Sequence, residues 1–212
     1  MNPGPAASSS CASTRPSPPS PPSPLCGHLD PEERILAVAY DLFSRRGIRD
    51  VGVNELIGRS GVAKATFYRH FPSKDTLVLA FLEQRDKQWT VDSIISSARQ
   101  RGNTPVEQLL AIFDVFSNWF RRDDFEGSAF INVLLEMGPA HPLGKASLDY
   151  LAKMRGHVQR LAEEAGLVRA DDFARSWHIL MKGSIISATE GDLQAARRAQ
   201  EMAAWLIEHH QA

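Results

Sequence analysis

Gly61-Val62-Ala63-Lys64-Ala65-Thr66-Phe67-Tyr68-Arg69-His70-Phe71-Pro72-Ser73-Lys74-Asp75 reads as a turn, a short helix and the start of a longer one. Gly61 suits the left-handed residue that ends a preceding helix. Lys64 to His70 is then two turns of helix, with Phe67 and Phe71 four residues apart on one face. Lys64, Thr66, Tyr68, Arg69 and His70 fall on the other side, and small Ala65 permits close approach. Pro72 cannot continue the helix, and Ser73 is a good N-cap for the next. Just upstream, Val53, Leu56 and Ile57 mark another short helix, stopped by Gly61.

Working outward, Asp30-Pro31-Glu32-Glu33 supplies a cap, a first-turn proline and a glutamate that can reach back to the cap amide. Ile35, Val38, Ala39, Leu42 and Phe43 follow at helical spacing, up to Gly47. Downstream, Leu77 and Phe81 continue the helix begun at Ser73. Thr104-Pro105-Val106-Glu107 opens another helix whose Leu109, Leu110, Ile112, Phe113, Val115, Phe116, Trp119 and Phe120 are apolar nearly all round, which predicts a central, buried position. Helices are expected near 128–137, 142–165, 171–189 and 193–209, punctuated by Gly138-Pro139, Gly166 and Gly191. No alternating strand pattern and no repeat occurs. The expected fold class is all-α: an N-terminal three-helix helix-turn-helix unit (29–75) and a larger C-terminal helical domain (76–212).

Residues 1–28 are rich in Pro and Ser and are expected to be disordered, because they cannot bury enough apolar area to offset their ordering entropy. Cys11 and Cys26 lie in that segment, so neither a structural disulfide nor a thiolate metal site is expected; no metal and no cofactor is assigned. The 212 residues are 43% hydrophobic and 23% charged, ordinary values for a soluble domain. No apolar run approaches the roughly 18 residues of a membrane span, and no secretory signal is visible; a cytoplasmic protein without a membrane partner is expected. The chain carries −1 in total, yet Arg45 to Lys74 holds seven basic residues against Asp50 and Glu55, a local +5 on a chain that is otherwise −6. Such a block suits a polyanion, or merely a solvated helical face.

Enzyme signatures fail. Gly58-Arg59-Ser60-Gly61 has the wrong spacing for a nucleophile elbow. Gly138 to Gly144-Lys145 has five intervening residues instead of four, and no Ser or Thr follows the lysine, so it is not a phosphate-binding loop. There is no H-E-x-x-H, and His209-His210 cannot coordinate as an i, i+4 pair. Two short helices joined by a tight turn have a different use. The first braces across the backbone of double-stranded DNA and the second enters the major groove. Arg and Lys read guanine edges there, Thr meets a thymine methyl, and Tyr hydroxyls hold phosphates. The candidate DNA-binding residues are Lys64, Ala65, Thr66, Tyr68, Arg69, His70 and Lys74.

The same stretch, with Ala39-Tyr40-Asp41-Leu42-Phe43 and Val53-Asn54-Glu55-Leu56-Ile57 before it, resembles the tetracycline-repressor (TetR) family over about Pro31 to Leu77. Two departures stand out. Val51-Gly52 replaces the usual Thr or Ser that starts the second helix, so a cap and a phosphate contact are missing there, and Ala63 replaces the usual Ser cap of the third, a loss of about 1 kcal/mol where nothing substitutes. The resemblance implies a variable helical domain that binds a small effector and forms a homodimer. Gly127 to Asn132 is also similar to a Gly-Cys-x-x-x-Asn pattern of one subgroup, with Ser128 in place of Cys.

Residues expected to line an effector pocket are Phe113, Phe116, Trp119, Phe120, Phe130, Met137, Trp177 and Met181, with Asn132, His141 and His178 as polar fixers. Taken one by one, each is better explained by core packing. The dimer interface is expected along two stripes: Phe173, Trp177, Leu180, Ser184, Ile185 and Ala188, then Ala196, Ala199, Ala203 and Leu206. The reading is a homodimeric repressor on a palindromic operator, released by a small apolar or aromatic effector. An activator, an effector-blind regulator or a protein-interaction adapter on the same fold are the alternatives.

Overall fold

The computed structural model describes residues 29–87 and 94–211. The Pro/Ser-rich segment, with Cys11 and Cys26, lies outside the described residues. Ten helices occur among those described, and no strand: α1 (Pro31–Arg46), α2 (Val53–Ser60), α3 (Lys64–His70), α4 (Lys74–Arg85), α5 (Ser96–Arg101), α6 (Pro105–Trp119), α7 (Ala129–Met137), α8 (Pro142–Glu164), α9 (Ala170–Thr189) and α10 (Ala195–His209). The chain is therefore all-α, as its periodicity predicts.

The caps read from the sequence form. Asp30 accepts the Glu33 amide while Glu33 reaches back to the Asp30 amide, and Thr104 and Glu107 do the same at α6. Ser73 caps α4 with Thr76 in the reciprocal role. At α2 the cap is Gly52, which has no side chain to bond, and Val51 before it is fully buried. At α3 the cap is Ala63, again without a side-chain bond.

Packing then follows from the apolar faces. Phe67, Leu56, Ile35 and Ala39 are fully buried where α1, α2 and α3 meet. Phe81 of α4 sits edge-on to Tyr40 and Phe43 of α1, at ring distances of 6.0 and 5.7 Å. One end of α4 thus belongs to the N-terminal unit, while α4 also touches α7 and α8. α6 packs on α5, α8 and α10 and buries Leu109, Ile112, Phe113 and Phe116, so the helix that is apolar nearly all round is indeed interior. Gly144 allows α8 to begin against the α7–α8 turn: a Cβ there would lie 1.9 Å from the Gly138 carbonyl oxygen. The last turn of α10 closes on the α8–α9 loop, where buried His210 gives its Nδ1 hydrogen to the Val168 carbonyl at 2.8 Å and accepts the Val168 amide.

Candidate nucleic-acid interface and effector recess

The outer face of the N-terminal unit is built by α3. Gly61 takes φ +64°, which only glycine adopts cheaply, and turns the chain from α2 into α3. Phe67 and Phe71 point inward and anchor the helix. Lys64, Ala65, Tyr68 and Arg69 are exposed, Thr66 and Lys74 half-exposed. His70 is drawn back toward its own chain: its Nδ1 lies 3.3 Å from Glu32 Oε2 on α1, and its Nε2 is buried without a partner.

The basic block divides in a way that charge counting does not reveal. Arg46 and Arg59 both bind Glu55, at 2.7 and 3.0 Å, and Arg45 binds Asp41 and Glu126 at 3.1 and 3.2 Å. Lys64, Arg69 and Lys74 have no ion pair among the described residues, and neither has Arg49; Lys64 and Arg69 are exposed on α3, and Lys74 stands half-exposed at the start of α4. Burial holds the Lys74 ammonium below the ordinary lysine value, against the opposing pull of Glu136, Asp75 and Asp50. An anion docked there would relieve that penalty.

A half-open recess of about 590 Å³, including its mouth, lies between α4, α6, α7, α8 and α9. Of the residues expected at a pocket, Phe116, Trp119, Phe130, His178 and Met181 line it. The others do not. Phe113 and Trp177 stack on each other at 5.2 Å inside the core, Phe120 packs against Phe125 at 5.1 Å, and Met137 ends α7. Asn132 instead edges a smaller recess beside Gly47 and Glu136. His141 caps α8, accepting the Leu143 amide at 3.2 Å. Arg85, Tyr150, Met154 and Lys182 line the recess without having been expected. Nothing local in the sequence marks them, since the amphipathic pattern of α8 and α9 does not say which neighbour a given residue faces.

His178 is buried, and its pKa is lowered to about 4, first by desolvation and then by Lys182 and Arg155. The unfolded histidine titrates near 6.5, so between about 6.5 and 4 the unfolded chain binds a proton that the folded chain refuses. This residue contributes nothing to the pH dependence above that window and lowers stability as pH falls through it. His178→Gln is expected to flatten the stability loss between pH 6.5 and 5 in urea titrations; an unchanged slope refutes the assignment.

Two contacts connect the recess walls to the N-terminal unit. Arg85 donates to the Tyr40 hydroxyl, with its guanidinium 4.8 Å from the Tyr40 ring centre. On α7, which begins at the recess, Glu136 accepts the main-chain amides of Ile48 and Arg49, the first at 2.8 Å. Gly47 has φ +79°, and a Cβ there would come within 3.0 Å of the Glu136 carboxylate.

The stripes expected at a dimer interface are turned inward instead. Phe173, Trp177, Ser184, Ile185, Ala188, Ala196, Ala199 and Ala203 are buried within the single chain, and Leu180 and Leu206 only partly so. The opposite face of α9 and α10 is the apolar one left to solvent, with Ile179 70%, Trp205 67% and Met202 51% exposed, beside Ile186 and Leu193.

Residues 35–81 match the family model described as bacterial regulatory proteins, tetR family. The fold is similar to a TetR-family transcriptional regulator of Streptomyces coelicolor, with TM-score 0.78 and 26% identity over 86% of this chain and 96% of that one. A putative tetR transcriptional regulator of Streptomyces avermitilis is similar at TM-score 0.77 and 26% identity, over 86% of this chain and 98% of that one. Among curated relatives, the transcriptional activator FasR of Mycolicibacterium smegmatis is 32% identical over 93 residues, 42% of this chain and 40% of FasR. The transcriptional regulator EthR of Mycobacterium tuberculosis is 38% identical over 55 residues, 26% of each chain. The chain thus matches less than half the length of these two relatives.

Proposed function

We propose that this chain is a regulatory protein of the tetR family and a sequence-specific DNA-binding regulator of transcription, a reading supported by the match over residues 35–81 and by the likeness of fold. It acts as a homodimer on a palindromic operator in the cytoplasm, and a small effector in the recess releases it. The observation that carries this reading is the unpaired trio Lys64, Arg69 and Lys74 on a face that the protein leaves uncovered. An adapter that had abandoned DNA has no reason to hold these cations out of ion pairs while Arg45, Arg46 and Arg59 nearby are paired.

The dimer forms through the exposed face of α9 and α10. Exposed Ile179, Ile186, Met202 and Trp205 make an apolar surface of the kind that marks an association site. Gly183, exposed on α9, lets a second helix approach closely. Two-fold pairing sets two α3 helices one helical turn of DNA apart, about 34–36 Å. The effector acts through α4, which starts beside α3 and ends at Arg85 in the recess, and through α7, which carries Glu136 near its end. A ligand that prefers the released arrangement by about 1–3 kcal/mol changes operator affinity about 5- to 150-fold.

For the sign of control a second reading has specific support: FasR is named an activator. The same module serves either sign, and a reporter fused to the target promoter in strains with and without the gene separates them. Higher expression without the gene is the expected result. The DNA reading itself is tested by gel shift of the full chain on its own upstream DNA at several salt concentrations. Affinity should fall linearly on a log–log plot, with a slope near about −0.9 per phosphate contacted. No retained complex, or a flat salt dependence, refutes it.

A further inference from the structure

We propose that the recess takes an amphipathic carboxylate, its apolar body against Phe116, Phe130 and Met181 and its acid group at Lys182. This rests on the effector reading above and adds the chemical class of the ligand.

The wall chemistry points one way. Apart from apolar side chains, the recess is lined by Arg85, Ser128, Tyr150, His178 and Lys182, and no aspartate or glutamate is among its described lining. Lys182 is half-buried and has neither a hydrogen bond nor an ion pair among the described residues. Arg155, facing it from α8, is half-buried too and equally without a carboxylate. The two are near enough that the Arg155 charge disfavours the charged form of Lys182, in addition to the burial that does so first. Partly desolvated like charges are costly to hold together without a counter-ion. His178 stays neutral between them and offers a ring nitrogen without adding to the repulsion. Ser128 uses its oxygen lone pair on the Ile131 amide, which leaves its hydroxyl hydrogen to give.

An anion at Lys182 reverses this imbalance. Carboxylate accepts charge-assisted bonds, and the apolar remainder of the ligand displaces water from Phe116, Phe130 and Met181. A neutral analogue gains only the second contribution, and a cationic one meets repulsion from Lys182, Arg155 and Arg85.

The test is calorimetric titration of the full chain at neutral pH with decanoate, decanamide and decylamine. Decanoate is expected to bind at least about tenfold more tightly than decanamide, with no saturable binding of decylamine. Lys182→Met should abolish the preference for the acid, lowering decanoate affinity far more than decanamide affinity, and Lys182→Arg should restore it. Equal affinity for acid and amide, no saturable decanoate binding, or a preference that survives Lys182→Met overturns the proposal. A parallel gel shift separates it from the effector reading. Decanoate that binds as described without moving operator affinity upholds the ligand class and refutes release by ligand.

Discussion

The chain carrying Arg69→Ala and Lys74→Ala together is expected to lose at least about a hundredfold in operator affinity, with its fold and its dimer intact. Each phosphate or base held by a cation is worth about 1–3 kcal/mol, and removing two cations per half-site adds up to ~3 kcal/mol or more. The salt slope should become shallower too, by about one unit for every phosphate that the double variant no longer neutralises. Neither side chain has an ion pair among the described residues, Arg69 is exposed and Lys74 half-exposed, so little stability goes with them. Fluorescence anisotropy on operator DNA measures the first effect, and sedimentation with thermal unfolding checks the rest. Unchanged affinity in a folded dimer would place the DNA surface elsewhere. His70 offers a contrast within the same helix. Its contact with Glu32 braces α3 on α1, so His70→Ala should disturb the seating of the helix more than its reach toward bases.

Trp177→Ala is expected to cost about 3–5 kcal/mol and lower the melting temperature by about 10 °C, without altering ligand preference. Trp177 is fully buried, with Phe113 and Phe173 each 5.2 Å away, so truncation opens a cavity that the surrounding helices cannot collapse into. Trp177→Phe should recover most of this. It keeps the stacking and removes an indole N–H that finds no acceptor among the described residues. Calorimetry at fixed protein concentration measures both, since a dimer's melting point depends on concentration. A mild alanine phenotype with altered ligand binding would move Trp177 from the core to the recess.

Trp177 also shows where sequence reading stops. The N-terminal unit was legible because its instructions are local: Asp30 with Glu33, Gly61 at positive φ, and Phe67 with Phe71 specify each turn within a few residues. The recess gathers Arg85 from α4 and Tyr150, Met154 and Lys182 from α8 and α9, which follow far along the chain. Their meeting depends on how those helices pack, which no short pattern encodes. The dimer stripes meet a related limit. α9 has apolar residues on two faces, Trp177 with Ile185 and Ile179 with Ile186, and a period of 3.6 identifies both without saying which one looks inward. The expected stripes fall on the inward face, where the core holds most of them.

Glu136 grips peptide groups, and this shapes what mutation can reach. A carboxylate holding the amides of Ile48 and Arg49 does not sense the side chain at 49, so that position can drift through every residue except proline, which has no hydrogen to give. Gly47 has no such latitude, because any larger residue is strained at φ +79° and crowds the acid. This link, one of those between the two halves of the molecule, is therefore inherited through one glycine and one glutamate 89 positions apart, while the loop they hold is left open to change.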